Sequence, residues 1–353
     1  MTGGTLIALA RRGWLLHVCG LTGALLLAGC GDKKPPAPAA AANPVAEAAP
    51  AEAPPPKEPP IELKAKWVVG KCYLTREETV QEATMTLPNQ PAPVNSGNTV
   101  KRDLALTILS ERPEGGHVME VEFVANKIEA NMGGRVTASF DSASDPKTDR
   151  TNALAKLNRK IAGNKFTYVT DASGKIERLE GVSNLLRKVT LGLDKNSSGL
   201  LKAQFSEEQL KHLGVLPEGL PDRPVAPGDT WTNQFDMPIS GAVAKFNVQS
   251  TLSGYEERDG KRCAIIKNSG TATIELGKTP AAAAMQFENV KLEGEVVYNP
   301  EQGQFVSSTT TMSLEVKLKV GGQDATQPVT VKSTKMLVEI IDAPRAADAA
   351  TAK

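Results

Sequence analysis

Leu314-Glu315-Val316-Lys317-Leu318-Lys319-Val320 alternates without exception, with Leu314, Val316, Leu318 and Val320 apolar and the three residues between them charged. Successive side chains of a strand point to opposite faces, so this pattern makes a strand with one buried side and one wet side. Phe246-Asn247-Val248-Gln249 and Met119-Glu120-Val121-Glu122-Phe123 alternate in the same way. Burial on one side only is the habit of antiparallel sheets. Glu114-Gly115-Gly116 and Asp259-Gly260 supply the glycines that let a tight hairpin take positive φ. The chain therefore reads as mainly β: antiparallel curved sheets, arranged as a half-barrel or a sandwich, with a few short helices.

The helical signals are modest. One pattern runs from about Asp149 to Ile161 and stops at Gly163, and another covers Val182 to Val189. A third begins at Ser206, an N-cap residue followed by Glu207 and Glu208 in the first turn. Residues 217–227 form a proline-rich crossing segment. On either side of it the sequence repeats loosely. Gly70-Lys71-Cys72-Tyr73 opens one half and Gly228-Asp229-Thr230-Trp231 the other. Tyr168 followed by Asp171-Ala172-Ser173-Gly174 corresponds to Tyr298 followed by Asn299-Pro300-Glu301-Gln302-Gly303. Two similar halves, 64–200 and 224–342, fit this pattern, although turn and strand chemistry alone could produce it.

Composition narrows the function. The 353 residues carry 41 Lys+Arg against 40 Asp+Glu, so there is no basic surplus to neutralise phosphates, and a nucleic-acid partner is excluded. Three histidines, four cysteines and 15 aromatic residues leave little for a metal centre or an imidazole-based active site. His117 and His212 lack a second ligand at metal-binding spacing. Asp141-Ser142-Ala143-Ser144-Asp145, with Asp149 beyond it, is the densest group of carboxylates, but it lacks the turn glycine and alternating donors of a calcium loop. Gly277-Lys278-Thr279 lacks the upstream glycine of a phosphate loop and is followed by Pro280. The sequence indicates no catalytic residue, no metal ligand and no cofactor, and the chain reads as not an enzyme.

The address lies in the first thirty residues. Arg11 and Arg12 precede an apolar run, Gly13 to Leu27, which is too short for a membrane span of about 20 residues. The run ends in Leu27-Ala28-Gly29-Cys30, which resembles the lipobox of bacterial lipoproteins. That resemblance implies cleavage between Gly29 and Cys30, a diacylglyceryl group on the Cys30 thiol and a further acyl chain on its freed amine. Several chains together hold a protein at a bilayer where one would not, at about 0.8 kcal/mol per buried methylene. Gly31 after the cysteine resembles the outer-membrane default, with the body facing the periplasm. Residues 31–60 hold ten prolines and ten alanines, the composition of a solvated tether. The expected organisation is a signal peptide at 1–29, a lipidated Cys30 and tether over 30–63, a β-rich body over 64–342 and a disordered tail over 343–353.

Lipobox, Pro/Ala tether, Gly-x-x-Tyr start, mid-chain Pro227-Gly228-Asp229-Thr230-Trp231 and β-rich body together resemble a bacterial lipoprotein family known only as a domain of unknown function. The resemblance implies an envelope location and an antiparallel fold, and no activity. In plan the chain is also similar, more weakly, to half-barrel carriers of the lipoprotein-localisation type. The expected partners are the membrane, through the N-terminal acyl chains, and an envelope protein or lipid ligand. The expected role is structural or binding, with a lipid or lipoprotein carrier as one alternative and an envelope hydrolase as another. Trp67, Tyr73 and Trp231 could line a ligand groove or anchor the core. Once Cys19 leaves with the signal and Cys30 is acylated, Cys72 and Cys263 remain, either as a disulfide or as two buried thiols.

Overall fold

The computed structural model describes residues 58–86, 92–151, 153–217, 219–239, 242–276, 285–320 and 323–343. The expected signal peptide, Cys30, nearly all of the expected tether and all of the expected tail except Ala343 lie outside the described residues. Twelve strands form one antiparallel sheet. They are β1 (Lys71–Met85), β2 (Val94–Glu111), β3 (His117–Met132), β4 (Arg135–Asp141), β5 (Lys165–Thr170), β6 (Ile176–Glu180), β7 (Thr230–Ile239), β8 (Ala242–Arg258), β9 (Lys261–Leu276), β10 (Met285–Asn299), β11 (Gln304–Val320) and β12 (Gln323–Asp342). A 3₁₀ turn (Pro146–Thr151) leads into α1 (Ala153–Arg159). After β6 come α2 (Val182–Thr190), α3 (Lys195–Gln204) and α4 (Glu207–Lys211).

The strand order is β6-β5-β3-β2-β1-β12-β11-β10-β9-β8-β7, with β4 beside the far end of β3. Two meanders are thus joined where the last strand returns to the first, from Lys71 opposite Asp342 to Ala83 opposite Val329. The sheet does not close through hydrogen bonds between β6 and β7. Instead α4 lies against both edge strands and bridges the opening.

The alternation seen in the sequence is the alternation of burial. Ala244, Phe246 and Val248 of β8 are buried, while Lys245, Asn247 and Gln249 are exposed. Most of the buried apolar residues turn to one inner face, where two large cores sit, while Cys263, Ile265 and Val297 make a small cluster on the opposite face of β9 and β10. One joins β8 to β12 around Phe246, Leu252, Ile266, Tyr298 and Met312, with Leu63 and Val225 laid across it. The other joins β1, β2, β3 and β5 to the helices, through Leu106, Ile108, Val121, Tyr168, Leu185 and Leu201. Apolar side chains leaving water at about 25 cal/mol per Å² supply the drive for both.

The two meanders begin alike. Gly70 and Gly228 both have positive φ, +80° and +91°. The Gly70 N–H donates to the Ile108 carbonyl at 2.9 Å, and the Gly228 N–H donates to the Leu252 carbonyl at 2.7 Å. Tyr168 on β5 and Tyr298 on β10 are both fully buried. Each hydroxyl donates to a carbonyl of the segment covering its half, Leu210 for Tyr168 and Lys64 for Tyr298. Six antiparallel steps separate β1 from β7, so the two strands run in the same direction.

Candidate functional site

The residues before β1 form an extended strap across the inner face. Ile61, Leu63, Ala65 and Trp67 turn inward while Glu62, Lys64 and Lys66 face solvent, and Leu63 is only 1% exposed. The body holds this strap mainly by its backbone. Ile61 and Val225 exchange two N–H···O bonds of 2.9 Å each. The Tyr298 hydroxyl donates to Lys64 O at 2.5 Å, and Gln304 Nε2 donates to Lys66 O at 2.5 Å. The Lys66 N–H donates to Gly303 O at 3.1 Å. The Val68 N–H donates to the Tyr73 hydroxyl at 3.2 Å.

Beneath the strap the sheet carries a polar belt. Cross-strand register places Asn126, Arg102, Glu77, Lys335 and Ser308 side by side on β3, β2, β1, β12 and β11. All five are buried. The Arg102–Glu77 pair is slack, at 3.8 Å. The adjoining row runs Thr79, Ser333, Thr310, Gly294, Asn268 and Ser250. Thr79 and Ser333 hydrogen-bond across the seam at 3.3 Å. A cavity of about 20 Å³ lies between belt and strap, lined by Trp67, Tyr73, Thr75, Gln304, Ser308 and Lys335. That is room for about one water molecule. On the outer face of β7–β10 an open groove of about 510 Å³ is lined by Thr232, Asn247, Gln249 and Ser269, with Lys291 and Glu293 beside them.

Trp67 and Tyr73 do come together, edge to face at 5.0 Å, and both pack against the helix-side core. Trp231 does not join them. It packs against the other core from edge strand β7 and donates its indole N–H to Gly219 O at 2.8 Å. The three aromatics anchor cores and line no common ligand groove. Cys72 and Cys263 are both buried and both free. The disulfide alternative is corrected by geometry: β1 and β9 are four inter-strand steps apart, roughly 19 Å at about 4.8 Å per step, against the 7 Å a disulfide tolerates between Cα atoms. Burial pushes the Cys263 thiol above its ordinary pKa, which favours the neutral thiol over the thiolate.

The carboxylate-rich loop is folded around a cation. Asp149 pairs with Arg159 at 2.7 Å, and the guanidinium also donates to Asp141 O at 3.2 Å and Ser144 Oγ at 3.1 Å. It lies 5.0 Å from the Phe140 ring centre as well. The Arg159 hydrogen bond holds the Asp149 carboxyl below its usual range, as expected of a structural ion pair. Among the described residues no three His, Cys, Asp or Glu side chains are placed to hold a metal ion. His212 closes α4 and is half-buried. Burial, and then neighbouring Lys211, depress its pKa.

The polar belt was not legible as a site in the sequence. Its strands alternate one polar residue with another, so neither face stands out; only the cross-strand register brings Arg102, Glu77 and Lys335 into one row.

Comparisons with known proteins add a family and two distant shapes. A structure described as "Lipid-protein interactions in lipovitellin" is similar at 10% identity and a TM-score of 0.44, over 80% of this chain and 26% of that one. This chain thus spans about a quarter of that protein's length. Another, described as "Asymmetric conductivity of engineered proteins", is similar at 9% identity and a TM-score of 0.20, over 74% of this chain and 99% of that one. At these levels neither says anything about what this chain binds. No curated protein sequence matches it. The model of DUF6263, described as a family of unknown function, matches residues 114–323, more than half of the sequence, and the chain belongs to that family.

Proposed function

We propose that this chain is a lipid-anchored protein of the bacterial envelope, held at the outer membrane by acyl chains on Cys30, whose β body binds a partner and catalyses no reaction. The observation that carries the reading is Leu27-Ala28-Gly29-Cys30 at the end of the apolar run, followed at once by the Pro/Ala tether. The tether leads into the strap, so acyl anchor and folded body are joined through a segment stitched to the inner face.

The binding role follows from the kind of surface available. The outer groove is large enough for a ligand and offers hydroxyl and amide groups from Thr232, Asn247, Gln249 and Ser269, with one cation, Lys291, and one carboxylate, Glu293, at its side. The carrier reading needs a roomy apolar hollow, and the space under the strap, lined by Leu106, Val215 and Phe305 as well as Ser308 and Lys335, is about 20 Å³, too small for an acyl chain. An acyl chain could enter only by displacing the strap or the helices.

Cys30→Ala tests the anchor in cells. The precursor should remain unlipidated and the body should move from the membrane to the soluble fraction. Continued membrane association of Cys30→Ala would overturn the anchoring.

A further inference from the structure

We propose that the strap, Ile61 to Trp67, is exchanged between two copies of this chain, each inner face receiving the other copy's strap. The inference rests on the proposed lipid anchor for one condition only, the crowding of copies at a membrane.

The groove recognises backbone. Tyr298, Gln304, Gly303 and Val225 all bond to main-chain atoms of the strap, so the contacts are the same whichever copy supplies it. One turn joins the strap to its own β1, and the Val68 N–H bond to the Tyr73 hydroxyl at 3.2 Å and the Gly70 N–H bond to Ile108 O at 2.9 Å are remade from the other copy's strap in the exchanged form. The Lys71 N–H donates to Val68 O at 3.1 Å, and Gly70 has φ +80°, the features of a type II turn over Val68–Lys71. Its first two residues are valines, β-branched and suited to extended backbone. Both are exposed, Val68 at 54% and Val69 at 48%. If the turn opens, the strap runs straight on into β1. Two such hinges crossing between copies would cover the four valines that the closed form leaves in water.

Closure onto the same body is favoured by an effective concentration on the order of millimolar for a short connection. Exchange therefore needs copies at comparable local density, which anchoring in one membrane plane provides. Short hinges that prefer extension are a known route to swapped dimers.

The test uses Ile61→Cys with Val225→Cys, two positions held face to face by reciprocal backbone bonds, in the full chain with and without Cys30→Ala. In non-reducing electrophoresis the anchored protein should give a disulfide-linked dimer, and the unanchored one an internally bonded monomer. Only internally bonded monomer from the anchored chain overturns the exchange, whereas Cys30→Ala protein that stays in membranes overturns the anchor instead. A second measurement needs no engineered thiols. Two differently tagged copies are co-expressed, and one is captured from detergent. Val69→Pro fits the second position of the turn, where no N–H bond is lost among the described contacts. It should cut the co-captured copy at least tenfold without lowering the melting temperature. Equal recovery with Val69→Pro, or no recovery from the unaltered pair, would sink the proposal.

Discussion

At Gly303 a β-carbon would stand 2.5 Å from the Lys66 backbone nitrogen, and the residue has φ +65°. Space and backbone conformation both demand glycine, because the strap crosses directly against the hairpin after β10. Gly303→Ala should destabilise the protein by more than about 1 kcal/mol in urea unfolding, since alanine is strained at positive φ as well as crowded. An unchanged midpoint would mean that the strap does not lie there in solution. Asn268 presents the opposite case. It is 3% exposed, and neither amide atom has a hydrogen-bond partner among the described residues. A buried amide without partners costs about 1–3 kcal/mol, so Asn268→Leu, close to it in shape, should stabilise the protein by a similar amount. A fall in stability would show that the amide is satisfied in solution. Neither residue stood out in the sequence: Gly303 was visible as a turn glycine, but its closeness to Lys66 depends on residues 237 positions apart.

Among the elements, the long strands were legible and the helices only partly so. Leu314 to Val320 falls within β11, Phe246 to Gln249 within β8 and Met119 to Phe123 within β3, because one-sided burial leaves its period in the sequence. The Gly115-Gly116 and Asp259-Gly260 turns have the positive φ that their residue types imply. Val182–Thr190 and Glu207–Lys211 are helices where expected, the latter capped by Ser206. The pattern from Asp149 to Ile161 splits instead into a 3₁₀ turn and α1, because the loop before it wraps Arg159. Helix α3 was missed. Lys195–Gln204 has Gly199 at its centre and no acidic residue in its first turn; its one signal is Asp194, which accepts from the N–H groups of Asn196 and Ser197. At the end of α4 the depressed pKa of His212 predicts a pH effect. Folding favours the neutral imidazole, so its contribution is present above the unfolded pKa of about 6.5 and is lost as pH falls below it. His212→Gln should reduce the loss of stability between pH 7 and pH 5 in thermal melts. An unchanged acid limb would place the imidazole in water.

Across the whole molecule the architecture follows from how the two meanders are connected. The chain leaves the first half at β6, passes through three helices and the crossing segment, and starts the second half at the far edge with β7. It then works back strand by strand until β12 reaches β1, so a single sheet carries two large cores on an inner face that a polar belt crosses. Periodicity can identify strands but not their order, and the β1–β12 seam pairs residues more than 240 positions apart. The mature chain of the proposed lipoprotein, without residues 1–29, would carry 39 basic against 40 acidic residues, still without a surplus for nucleic acid. The proposed function rests on the lipid anchor at Cys30. The most direct measurement is the intact mass of the mature protein extracted from membranes. The account predicts a chain that begins at Cys30 and carries the added mass of a diacylglyceryl group, with or without a further acyl chain. A chain that begins elsewhere, or a Cys30 without lipid, would contradict it.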